Sequence, residues 1–165
     1  MDKEKLQQII SNPDNVLRII DELNDCFKYL YFNIQKKLIE QKHKDIQLNY
    51  SNFSYSPETY YLNGHCPSYA NILCEIFGEF AEKYNSDDHI IIKIKEHFYD
   101  VRGLIDNIEN INDFHKTENG DLFYIDITFG IKDNIEKPLE KELIKIGSET
   151  LEQIYNISKQ NKLTK

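Results

Sequence analysis

Apolar residues recur three and four positions apart through Val16, Ile19, Ile20, Leu23, Phe27, Leu30, Tyr31, Ile34 and Leu38. That spacing turns one face of an α-helix toward a core. It predicts a long amphipathic helix after Ser11-Asn12-Pro13-Asp14, preceded by a shorter one from Lys3 to about Ile10. Ser11 or Asn12 is the expected cap, with Pro13 in the first turn, where its missing N–H costs nothing. The same period returns at Tyr69, Ile72, Leu73, Ile76, Phe77 and Phe80. A second amphipathic helix should therefore begin at Cys66-Pro67 and fade through Lys83-Tyr84-Asn85-Ser86-Asp87. Then the pattern changes. The Ile-rich run His89 to Lys95 predicts a strand, with a turn near Lys95-Glu96, a return strand from Phe98 to Val101 and Gly103 closing the hairpin. A third strand is expected over Leu122–Thr128 after a turn at Asn119-Gly120, and a terminal helix from Leu139, after Pro138, to about Asn161. Gln47 to Asn63, rich in Tyr, Asn and Ser and interrupted by Pro57, reads as a loop lying across the fold.

These elements give an α+β fold class: a central helix starting at Cys66, packed on a short antiparallel sheet and flanked by N- and C-terminal helices. At 165 residues the chain suits one domain, 1–165, burying roughly 70% of the surface its unfolded form exposes. Within it, 1–45 forms the N-terminal helical part, 60–130 the core and 139–162 the C-terminal helix. A net charge of −8, from 28 carboxylates against 20 basic side chains, opposes a phosphate backbone or an anionic lipid surface. No nucleic-acid and no membrane partner is expected. No apolar run approaches the ~20 residues that span a bilayer, and Met1-Asp2-Lys3-Glu4-Lys5 lacks the pattern of a secretory signal. A cytoplasmic location is the expectation, with delivery elsewhere by another route left open. Cys26, Cys66 and Cys74 are odd in number and lack short-pair spacing, which suits reduced thiols.

The order of residue types supports thiol chemistry. A cysteine becomes a useful nucleophile when a local field favours thiolate, a base moves protons and a third group orients that base. Cys66 stands directly before Pro67 at the expected helix start. There, unpaired backbone N–H groups and the positive end of the helix dipole favour negative charge and can contribute to an oxyanion hole. His89 opens the following strand, and a hairpin turning near Lys95 brings Asp100 into direct or diagonal opposition to it. Cβ separations of roughly 5–8 Å in such pairs suit a carboxylate bonded to the imidazole. His97 competes for the part of base, although the turn beside it aims it at solvent, and Asp126 competes as orienting carboxylate. The structural alternatives are a His89 bonded to Asp87 or Asp88, and an Asp100 making its own turn with Gly103. Cys26 and Cys74 lie on apolar helical faces and read as small core fillers. A zinc site built from His65, Cys66 and His89 needs a fourth ligand, and no Cys-x-x-Cys or His-x-x-x-His pair supplies one, so neither a metal nor a cofactor is expected.

Gly64-His65-Cys66-Pro67-Ser68-Tyr69-Ala70, then His89, then Tyr99-Asp100-Val101-Arg102-Gly103 resembles the papain-like and transglutaminase-like superfamily of thiol enzymes. The likeness covers about residues 60–103. It implies a single papain-like or transglutaminase-like domain with Cys66 as nucleophile, His89 as general base and acid and Asp100 as the orienting residue. It also implies amide chemistry through an acyl-enzyme: peptide-bond hydrolysis, deamidation or acyl transfer to an amine. The glutamine that such enzymes carry just upstream of the nucleophile has no counterpart in Tyr60-Tyr61-Leu62-Asn63. Asn63 or Gln47 is the substitute oxyanion donor, with His65 as an auxiliary candidate.

Tyr50, Tyr55, Tyr60 and Tyr61 offer either a recognition surface or an aromatic wall of the core. With the small size of the chain they favour a protein or peptide substrate. The sequence does not address oligomeric state. The alternative to an enzyme is a non-catalytic acidic module, of inhibitor or immunity type, that binds a basic protein partner.

Overall fold

The computed structural model describes residues 1–42, 56–105, 113–117 and 132–163. The N-terminal helix α1 (Lys3–Ile9) is capped by Asp2, whose side chain accepts from the Lys5 N–H. Of the two caps expected for α2 (Pro13–Lys42), Asn12 takes the part. Its Oδ1 accepts from the Asp14 N–H at 3.1 Å, while Ser11 Oγ turns back onto the Gln7 carbonyl.

Part of the stretch read as loop is helical. Ser56 caps a short helix α3 (Pro57–Tyr60), which leads through a kinked turn, Tyr61–His65, into α4 (Cys66–Phe77). The expected extension of α4 toward Lys83 is corrected. Gly78 adopts φ 55°, ψ −132°, and its N–H closes on the Cys74 carbonyl. After one 3-10 turn, Gly78–Phe80, the chain becomes strand β1 (Ala81–Asn85). Glycine tolerates the left-handed backbone that ends a helix. The apolar period could not register the stop because Phe80 happens to continue it.

Strands β2 (Ile90–Ile94) and β3 (His97–Asp100) form the expected hairpin. Ile94 pairs with His97 across the two-residue turn Lys95-Glu96, with Lys95 at φ 56°. Two short strands, β4 (Gly103–Leu104) and β5 (His115–Lys116), complete an antiparallel sheet of order β4-β3-β2-β1-β5. The strand expected over Leu122–Thr128, with the turn at Asn119-Gly120 and Asp126, lies outside the described residues, as do Gln47, Tyr50 and Tyr55.

The last helix, α5 (Lys132–Leu163), begins before Pro138 rather than after it. A mid-helix proline forfeits one backbone bond and crowds the preceding turn. The turn ahead of it is nevertheless anchored, because Ile135 is buried and Glu136 reaches α4.

The core gathers Val16, Ile19, Ile20, Leu23 and Phe27 of α2 with Tyr69, Ile72, Leu73 and Phe77 of α4. Ile92, Ile94 and Tyr99 of the sheet and Leu139, Leu143, Leu151 and Ile154 of α5 join the same cluster. The N- and C-terminal helices thus flank a middle helix and sheet in an α+β arrangement. Among the described residues no helix is long and apolar enough to cross a membrane.

Candidate functional site

The chain enters α4 through a sharp break. Asn63 (φ −99°, ψ 52°) and Gly64 (φ 96°, ψ 7°) leave helical geometry, and residue 64 takes a left-handed conformation that favours glycine. Cys66 becomes the first residue of the new helix, with Pro67 next and no side chain capping the start. The thiol is buried, at 5% exposure. It therefore sits beside the amide-rich, electropositive end of α4.

His89 immediately precedes β2 and Asp100 ends β3, so both stand at the open end of the hairpin. His89 Nε2 lies 2.9 Å from Asp100 Oδ2, and Cys66 is near enough to the ring to bear on its protonation. Burial disfavours the imidazolium, but the bond to Asp100 and the nearby Cys66 outweigh it and push the His89 pKa up to about 9. The structure brings His89 and Asp100 into contact, with Cys66 near the imidazole. His89 does not pair with Asp87 or Asp88; the Asp88 carboxylate takes the Ser86 hydroxyl instead. His97 is exposed on β3, its ring near Tyr99.

Asp100 is 3% exposed and has a second partner that the residue pattern did not single out. The Arg102 N–H donates to Oδ1 at 2.8 Å, and the guanidinium Nε and Nη2 donate to the same carboxylate. Burial alone would raise this acid, yet the hydrogen bonds from His89 and Arg102 bring it down to about 2. An Asp bonded to the N–H two residues on, just before a glycine, is a legible turn signal. Gly103 supplies the turn's positive φ of 103°.

The other side of the α4 start meets α5. His65, stacked on Tyr60 with ring centroids 3.9 Å apart, places Nδ1 3.3 Å from Glu136 Oε1. Ser68 donates to Glu140 Oε1 at 2.6 Å. Burial raises the Glu140 pKa, and the charge of Glu136 adds to that, against the bond from Ser68. No local signal could have found these carboxylates, because the contacts span some seventy residues. Asn63 uses its amide nitrogen to donate to the Thr59 carbonyl at 2.6 Å, closing the turn rather than reaching toward Cys66. Among the described residues no group of three or more His, Cys, Asp or Glu side chains could hold a metal ion.

Residues 37–140, more than half of the chain, match the Phage YunG-like protein family. The chain belongs to that family. No curated protein and no solved structure matches it. Membership in the YunG-like family overturns the resemblance to papain-like and transglutaminase-like enzymes, since the family matched is a different one. The reason is physical. A thiol at a helix start with an imidazole–carboxylate pair nearby is a short order of residue types that any fold able to juxtapose them can carry. The YunG-like match includes Cys66, His89, Asp100, Arg102, Glu136 and Glu140, and it leaves out α1 and most of α2.

Proposed function

We propose that this YunG-like protein performs cysteine-dependent amide chemistry on a protein or peptide substrate. The observation that carries the reading is His89 bonded to Asp100 at 2.9 Å with Cys66, the first residue of α4, close to the same ring. In the proposed reaction the Cys66 thiolate attacks a carboxamide or peptide carbonyl. A C–S bond forms, the C–N bond breaks, and the proton held by His89 goes to the departing amine. His89 then takes a proton from the acceptor that cleaves the thioester, and the thiolate returns. Water acting on a peptide bond gives proteolysis, water on a side-chain amide gives deamidation, and an amine gives acyl transfer. Asp100 holds the imidazole in one tautomer and orientation, and Arg102 holds Asp100.

The reading is tested by the rate of Cys66 alkylation with iodoacetamide across pH, followed by intact mass in wild type and His89→Ala. Rapid reaction that depends on His89 supports it. Loss of the imidazole should then lower turnover of any amide substrate on the order of 10²–10⁴-fold. An inert Cys66, or one indifferent to His89, removes it and leaves a binding module.

A further inference from the structure

Most of α2 lies outside the residues shared with the YunG-like family, yet this helix reaches the site. Asn24 Nδ2 donates to the Val101 carbonyl at 2.8 Å, and Asn24 Oδ1 lies 3.5 Å from the Tyr69 hydroxyl. Val101 separates Asp100 from Arg102, within the turn whose N–H and guanidinium hold the Asp100 carboxylate. Tyr69 stands one turn beyond Cys66 on α4, and its buried phenol is kept protonated by burial first and then by the charges of Asp100 and Asp21. One amide therefore links the end of the strand that carries the carboxylate to the helix that carries the thiol.

We propose that Asn24 is a positioning residue for the Cys66–His89–Asp100 group, an α2 side chain that fixes the carboxylate turn against the nucleophile helix. The proposal deepens the amide-chemistry reading and rests on it. Val101 is 1% exposed, so removing the amide donor deprives a buried carbonyl of a partner, and the turn moves to recover one. Asp100 moves with it, because its bonds to Arg102 are made within the same turn. The groups whose charge bears on this assembly are Cys66 and Asp100 at His89, Arg102 with Glu58 beyond it, and Asp21 at Tyr69.

The test compares Asn24→Leu, close in volume but without the donor, with Asn24→Gln, which keeps an amide, in the full chain. Three quantities are read: the His89 ring titration by NMR, the rate of Cys66 alkylation by iodoacetamide, and the thermal midpoint. In Asn24→Leu the His89 midpoint should fall from about 9 toward the ordinary 6.5 and alkylation should slow severalfold, while Asn24→Gln stays near wild type in both. An Asn24→Leu protein that titrates and reacts like wild type, or that loses only thermal stability, overturns the proposal. If wild-type Cys66 proves unreactive while the His89 midpoint still moves in Asn24→Leu, the positioning stands and the amide chemistry falls.

Discussion

Asp100 is the residue through which most of the site's electrostatics pass. It is a buried carboxylate serving an imidazole on one side and a guanidinium on the other. Asp100→Asn keeps the shape but presents an amide, which can donate to the ring and favour the wrong tautomer. In the proposed amide chemistry turnover should fall by up to ~10⁴-fold with modest change in KM, and the His89 midpoint, followed by NMR, should drop from about 9. A variant retaining full turnover would show that the carboxylate only shapes its turn. The three candidate residues could be singled out in the sequence because each belongs to a type with restricted chemistry, placed at a helix start or a strand end. Arg102 was half legible, since its turn could be read but not the two-pronged grip of its side chain. Glu136, Glu140 and Asn24 were not legible. They lie on helices whose other residues simply follow an amphipathic period, and their relevance arises only from packing across long sequence separations.

Helices α1, α2 and α4 begin where the apolar period and the turn residues place them. The β2–β3 hairpin likewise follows its Ile-rich run. The reading failed at β1, whose five residues are all half-buried and so carry no alternation to announce a strand. It failed again at Pro138, where contacts made by the preceding turn override the usual stop. The helices also approach one another closely. A Cβ on Gly147 would overlap Ile76 Cδ1 and come within 3.0 Å of its Cγ1, whereas one on Gly103 would meet Leu17 Cδ2 at 3.2 Å while also taking a backbone of φ 103°. Gly147→Ala forces the buried Ile76 aside and should cost about 1–3 kcal/mol. Gly103→Ala should destabilise by more than ~1 kcal/mol through its backbone alone. Urea unfolding of the two variants measures both, and an unchanged midpoint in Gly147→Ala would mean that α4 and α5 can move apart freely.

For the folded molecule as a whole, the His89–Asp100 pair makes stability depend on pH in two directions. His89, raised above its ordinary 6.5, stabilises the fold fully below pH 6.5 and loses that contribution as pH rises through about 9. Asp100, lowered from its ordinary 3.8, stabilises above pH 3.8 and loses that contribution as pH falls through about 2. The pair therefore contributes most between pH 3.8 and 6.5. Thermal midpoints of wild type and Asp100→Asn should differ most in that window and draw closer as pH rises through about 9, where the His89 part is lost, while the part that comes from Arg102 persists. A constant difference across pH would show that the pair titrates together with the unfolded chain.

Pro138 falls between the two side chains by which α5 grips the start of α4: Glu136, on His65, comes before it, and Glu140, on Ser68, comes after it. The proline forfeits its bond to the carbonyl four residues back, so the leading turn is tied to the rest of α5 by one backbone bond fewer. Losing the grip on His65 should therefore disturb less of α5 than losing the grip on Ser68. Cys66, between them in sequence, is held like a page between two fingers of one hand.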